Sequence, residues 1–147
     1  MIVDVPSPER MRALGIALGR VAVAGDLFLL EGPFGAGKTT FVQGLAQGLD
    51  VETPVSSPTF VIETQYQGRL RLYHVDLYRL EQVEPELWES LSEDLFGDGV
   101  SAVEWADRLP AQLREGGHVL RFDVHDAGRA VHLETRDERL RAAATAA

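Results

Sequence analysis

The stretch Gly32-Pro33-Phe34-Gly35-Ala36-Gly37-Lys38-Thr39 fits the pattern Gly-x-x-x-x-Gly-Lys-Thr in full, and no other segment constrains the chain as tightly. Such a loop works between a buried strand and a helix: its glycines turn backbone amides inward, and the helix N-terminus aims its dipole at an anion. Both neighbours are present. "LFLLE", residues 27–31, is a short continuous apolar run of the kind that is covered on both faces of a sheet. "TTFVQGLAQGL", residues 39–49, places Phe41, Leu45 and Leu49 four apart, which predicts an amphipathic helix despite two interior glycines.

Lys38 is the only lysine, and every other basic residue is an arginine. A chain that elsewhere uses arginine keeps lysine where a wide planar guanidinium cannot enter a narrow loop and a compact ammonium can. The overall charge sharpens the point. With 23 acidic residues against 14 basic ones, the formal charge of −9 disfavours autonomous binding of nucleic acid or of an anionic membrane surface. A nucleotide must then be held locally, by backbone N–H groups, a few placed cations and a divalent metal.

The loop pattern assigns roles. Lys38 reaches the β- and γ-phosphates, the Thr39 hydroxyl serves Mg²⁺, and Thr40 contacts the α-phosphate. The candidate nucleotide-binding set is Gly32, Pro33, Phe34, Gly35, Ala36, Gly37, Lys38, Thr39 and Thr40, with Thr59 beside it. Phosphoryl transfer also needs carboxylates to fix the metal and orient the attacking oxygen. Glu104 ends the apolar run "VSAVE" and Asp76 ends "LRLYHVD", so both emerge at strand carboxyl ends, where open α/β sheets bind ligands. These two acids and Thr39 are the candidate metal ligands, and Lys38, Glu104 and Asp76 the candidate catalytic residues. Thr59, in "SPTF", is either a switch-like hydroxyl or a plain turn residue.

The rest of the chain reads as an α/β domain with a mixed sheet. Ser7-Pro8 signals a helix start, followed by Met11, Leu14, Leu18 and Val21 at helical spacing. "FVIETQY" and "LRLYHVDLY" around "QGR" predict an antiparallel hairpin, "EPELWESLSEDLF" a helix, and "HVLRFDV" and "AVHLET" around "HDAGR" a second hairpin. Residues 1–140 form one domain, and the Ala-rich residues 141–147 are expected to fray. The chain has no cysteine, no signal-peptide pattern at "MIVDVPSPER" and no apolar stretch approaching a membrane span, so a cytoplasmic location is expected. His118, His125 and His132 lack paired metal-ligand spacing, and Trp88 and Trp105 are read as core or interface residues.

Taken in order, "GPFGAGKTTFVQGLAQGL", "SSPTF", "HVDLYRL" and "EW" resemble the TsaE (YjeE) family, the small ATPases of bacterial threonylcarbamoyladenosine synthesis on tRNA. The resemblance runs from the first helix to the final hairpin. It implies a P-loop NTPase-like three-layer domain with a seven-stranded mixed sheet, and ATP and Mg²⁺ as cofactors. Nucleotide binding falls to Gly35, Gly37, Lys38, Thr39 and Thr40, metal or catalytic roles to Asp76 and Glu104, and a place near the γ-phosphate to Thr59. It further implies a TsaD–TsaB partner pair, with tRNA reached only through that pair. The chain departs from the family in having Pro33 where an acid is usual, and Ala106 where a proline commonly follows Glu-Trp. Two rival readings share the loop: a small-molecule kinase and a non-hydrolysing nucleotide-dependent interaction module. A GTPase is excluded, because its guanine-reading motif needs asparagine and the chain has none.

Overall fold

The computed structural model describes residues 1–56, 62–80, 84–95 and 97–147, with the Trp88 side chain left out. Seven strands form one sheet: β1 (Ile2–Val5), β2 (Leu27–Glu31), β3 (Glu63–Tyr66), β4 (Leu72–Asp76), β5 (Val100–Glu104), β6 (His118–His125) and β7 (Gly128–Glu134). Their spatial order is β1-β7-β6-β2-β5-β4-β3. The four central strands β6, β2, β5 and β4 run parallel, and β3, β7 and β1 pair antiparallel at the flanks. This is the mixed sheet expected, including both hairpins; β1, on which the sequence reading was silent, adds the edge strand beside β7.

Side-chain alternation along β2 divides the interior. Phe28 and Leu30 join a core with Met11, Leu14, Leu18, Phe41, Leu45 and Leu140, contributed by α1 (Pro8–Val21), α2 (Lys38–Gly48) and α5 (Glu138–Ala146). Leu27 and Leu29 face the other way, onto Leu91, Leu95, Leu109 and Leu113 from α3 (Pro85–Leu95), a 3₁₀ turn (Ala106–Arg108) and α4 (Ala111–Arg114). Helices on both faces explain why the central strands read as unbroken apolar runs. Among the described residues, no helix is long and apolar enough to cross a membrane.

The start of α1 follows its sequence signal, with the Ser7 hydroxyl accepting from the Arg10 amide at 3.2 Å and Pro8 in the first turn. The C-terminal tail does not follow expectation. Residues 141–146 continue α5, which Asp137 caps by accepting from the Arg139 amide at 2.9 Å. Alanine is the strongest helix former, and its small side chain lets the helix lie close on α1, burying Leu140 and Ala144. The Arg10 guanidinium donates to the Ala147 carbonyl at 3.0 Å and closes the end.

Candidate active site

Parallel strands deliver the acids to one place. β4 and β5 pair with Asp76 opposite Glu104, and β5 pairs with β2 so that Glu104 lies opposite Leu30, two residues before the glycine loop begins. The carboxyl ends of β2, β5 and β4 thus bring the loop, Glu104 and Asp76 together, as the sequence predicts.

The loop has the backbone its glycines permit. Gly32, Gly35 and Gly37 take positive φ of 146°, 73° and 105°. Pro33 to Ala36 forms a turn in which the Ala36 amide reaches the Pro33 carbonyl at 3.4 Å. Pro33 and Phe34 are exposed, whereas Ala36 is buried. Gly37 begins α2 in the left-handed region, and no side chain caps that helix start.

Lys38 is buried, with its ammonium donating to the Gly32 carbonyl at 2.5 Å and lying 3.8 Å from the centroid of the Trp105 ring. Burial pulls its pKa below the usual lysine value, against the upward pull of Glu104, Asp76 and Asp107. The ammonium is therefore held inside the loop by a carbonyl dipole and an aromatic face. Trp105, expected as a core or interface residue, belongs to the site. It takes the left-handed conformation, φ 58°, a strained backbone for a bulky residue. Its ring packs with Phe34 and Tyr78, centroids 5.3 Å away in each case, and those two rings lie 4.4 Å apart.

Glu104 is buried and accepts from the Thr39 hydroxyl at 3.3 and 3.4 Å to its two oxygens. His74 Nε2 lies 2.6 Å from Glu104 Oε2. Asp76 Oδ1 accepts from the Tyr78 amide at 2.9 Å. Burial, reinforced by the neighbouring Glu104 carboxylate, pushes the Asp76 carboxyl above the usual range despite that hydrogen bond and Lys38. Arg108 holds the turn after Asp76 by donating to the carbonyls of Leu77 at 3.0 Å and Leu80 at 2.8 Å, and to that of Tyr78.

Two chambers meet at the loop. One, of about 240 Å³, is lined by Phe34, Lys38, Thr39, Asp76, Glu104 and Trp105. The other, of about 190 Å³, is lined mainly by Val5, Pro6, Pro8, Met11, Gly128 and Arg129. Gly35, Gly37 and Thr40 line both. The first offers hydroxyl and carboxylate oxygens and an ammonium, a donor set suited to a hard divalent cation such as Mg²⁺ and to phosphate. The second is largely apolar and sits on the Thr40 side. A larger cavity of about 670 Å³, lined by His118, Thr135, Asp137 and others, lies at the opposite end of β6, away from these groups.

Thr59 falls outside the described residues. The sequence reading did not single out His74, Tyr78, Arg108 or Arg129. His74 carried a signal: a polar residue two before Asp76 in an apolar strand shares the face of that acid. His118, His125 and His132 each face a different aspartate: Asp26 at 3.2 Å, Asp4 at 3.8 Å and Asp123 at 2.8 Å.

Residues 5–136 match the family model described as "Threonylcarbamoyl adenosine biosynthesis protein TsaE". The chain belongs to the TsaE family. Proteins named as TsaE in tRNA threonylcarbamoyladenosine biosynthesis align with it at several distances. The one from Nostoc sp. is 47% identical over 104 residues, 66% of this chain and 62% of that protein, so the match spans less than two thirds of that relative. The one from Bacillus subtilis is 44% identical over 108 residues, 73% of this chain and 67% of that protein. The one from Mycobacterium tuberculosis is 37% identical over 141 residues, 90% of this chain and 81% of that protein. The crystal structure of Bacillus subtilis YdiB superposes with a TM-score of 0.72 at 31% identity, covering 99% of this chain and 92% of that one. TsaE is thus a family of tRNA threonylcarbamoyladenosine biosynthesis, on a P-loop NTPase-like α/β fold.

Proposed function

We propose that this TsaE-family chain is an ATPase that binds ATP with Mg²⁺ and hydrolyses it in support of threonylcarbamoyladenosine formation on tRNA by a TsaD–TsaB pair in the cytoplasm. One observation carries the reading: Lys38, Thr39, Asp76 and Glu104 line a single chamber against a loop of positive-φ glycines.

In this reading the triphosphate lies along the loop and the nucleoside enters the apolar chamber beyond Thr40. Lys38 leaves the Gly32 carbonyl and the Trp105 ring to meet the β- and γ-phosphates, exchanging one set of ammonium partners for another without opening the site. Thr39, Asp76 and Glu104 would hold Mg²⁺. Its role there is to neutralise charge on the phosphate oxygens. Glu104 and Asp76 also orient the attacking water, each carboxylate positioned by hydrogen bonds before substrate arrives. The acidic surface keeps tRNA off this chain, so hydrolysis acts on a protein partner's conformation through loops ordered by the γ-phosphate.

The test is phosphate release by the parent, Lys38→Ala and Lys38→Arg, with and without the TsaD–TsaB pair and tRNA. The parent is expected to turn over slowly alone and faster with the pair. Both variants are expected to lose roughly 10²–10³ in rate, the usual cost of deleting one preorganised charge contact. Parent-like turnover by Lys38→Arg defeats the argument from the single lysine. Phosphate transfer to a small metabolite, indifferent to the pair, favours the kinase reading, and nucleotide binding without turnover favours the interaction module.

A further inference from the structure

We propose that His74 is a positioning residue for Glu104, and this deepens the MgATP-hydrolysis reading on which its catalytic consequence rests. The placement comes from the sheet. His74 and Asp76 occupy alternate positions on β4, so both point to the α2 side, and their cross-strand partners on β5 are Ala102 and Glu104. Ala102 is small, which leaves the imidazole room to reach diagonally to the acid. The result is a fully buried His74 whose Nε2 lies 2.6 Å from Glu104 Oε2.

Core filling does not account for this histidine. His74 leaves Nδ1 buried with no hydrogen-bond partner among the described residues, a polar cost that an apolar side chain would not carry. Among the described residues, the hydrogen-bond contact that offsets this burial is the bond to Glu104. A carboxylate oxygen accepts, so in this pairing Nε2 is the ring nitrogen that donates to Glu104. Thr39 donates its hydroxyl to the same carboxylate at 3.3 and 3.4 Å. Two donors on different elements fix the carboxylate plane and engage Oε2 from the β4 side. Glu104 is thereby pre-oriented for its work at the phosphate chamber. Partners of this outer kind typically change metal affinity or activity by about 10–100-fold when removed.

Two measurements test this. The first uses the ligand-free protein: the ring ¹H–¹⁵N spectrum of His74 should show the Nε2–H tautomer with a bare Nδ1, and Glu104→Ala should shift that Nε2–H signal. An Nδ1–H tautomer, or a signal indifferent to Glu104→Ala, overturns the pairing. The second compares parent, His74→Ala and His74→Gln in Mg²⁺ titrations of ATP hydrolysis with the partner pair present, corrected for the folded fraction by thermal melts. His74→Ala should lose roughly 10–100-fold in turnover or in apparent Mg²⁺ affinity, with the KM for ATP within about twofold of the parent. His74→Gln, which places an N–H donor near the lost Nε2, should recover most of it. Parent-like turnover and Mg²⁺ dependence in folded His74→Ala overturns the proposal, as does a glutamine variant no better than alanine. If His74→Ala does not fold, the ring spectrum and His74→Gln decide. A parent without Mg²⁺-dependent hydrolysis overturns the site reading and the catalytic consequence together, while the ring spectrum still decides whether His74 holds Glu104.

Discussion

Asp76 is held where its charge is unwelcome until a cation arrives. Burial and the nearby Glu104 raise its pKa, so the folded protein keeps this proton to higher pH than the unfolded chain does. Through that window the native state binds more protons, and stability falls as pH rises from the unfolded value, near 3.8, past the folded one. Above that window the carboxylate charge is a net cost to the ligand-free fold. Asp76→Asn keeps an oxygen for the Tyr78 amide and removes the charge. The ligand-free variant is therefore expected to melt at or above the parent at pH 7, with the difference closing toward about pH 4, while hydrolysis falls sharply. A variant that melts lower at pH 7 but equals the parent in acid reverses the sign and defeats this account. Asp76 and Glu104 were legible in the sequence because a lone acid closing an apolar run marks a strand's exit. His74 was legible only as a polar residue on the face of Asp76, since the contact that explains it lies across two strands joined through a helix. Trp105 packs partly against the core, as its aromatic character suggests, but aromatic content gives no direction, and its ring also lies over Lys38.

The same distinction between local and crossed information governs the elements. Gly44 and Gly48 look like defects in α2, where each costs helix propensity. Against α1 they are contact surface. A methyl group on Gly44 would overlap the Arg12 carbonyl, one on Gly48 the Ile16 carbonyl, and one on Gly15 or Gly19 would strike the α2 backbone. Four glycines on two helices therefore let the loop-bearing helix lie at backbone contact with α1. For Gly44→Ala, better helix propensity returns up to about 1 kcal/mol, while collision with a backbone carbonyl that cannot rotate away costs about 1–3 kcal/mol. A net loss of stability is expected in urea unfolding, against little change for exposed Gln47→Ala on the same helix. A stabilised Gly44→Ala shows that the crossing can relax. Strands β2 to β7, both hairpins and the first helices were legible because period and turn chemistry are local, whereas β1 was not. The α5 tail was not, because its order depends on a groove made by α1.

At the scale of the whole molecule the two ends of the sheet respond to acid in opposite ways. The carboxyl ends carry Asp76, which favours the proton. The other end carries a clamp joining α5 to β2 and β6: Asp26 faces His118 and Arg139, each at 3.2 Å, and accepts from the Val23 amide at 2.9 Å. Arg139 also bonds Asp137 at 2.8 Å. Burial alone would raise the Asp26 pKa, but the hydrogen bonds from His118, Val23 and Arg139 outweigh it and leave the carboxyl below the usual range. The Arg139 guanidinium, through its hydrogen bond, lowers Asp137 as well. Folded values below the unfolded one mean stability that is fully present above about 3.8 and is lost as pH falls through the folded values. Asp26→Asn keeps an acceptor for Val23 but loses the charge opposite His118 and Arg139. Its deficit in melting temperature against the parent is expected to be largest near neutrality and to shrink in acid, while hydrolysis per folded molecule stays at the parent level because the clamp lies at the far end of the strands. Melts of both proteins from about pH 2.5 to pH 7 check it; a deficit that stays constant into acid assigns the loss to packing and removes the charge from the explanation.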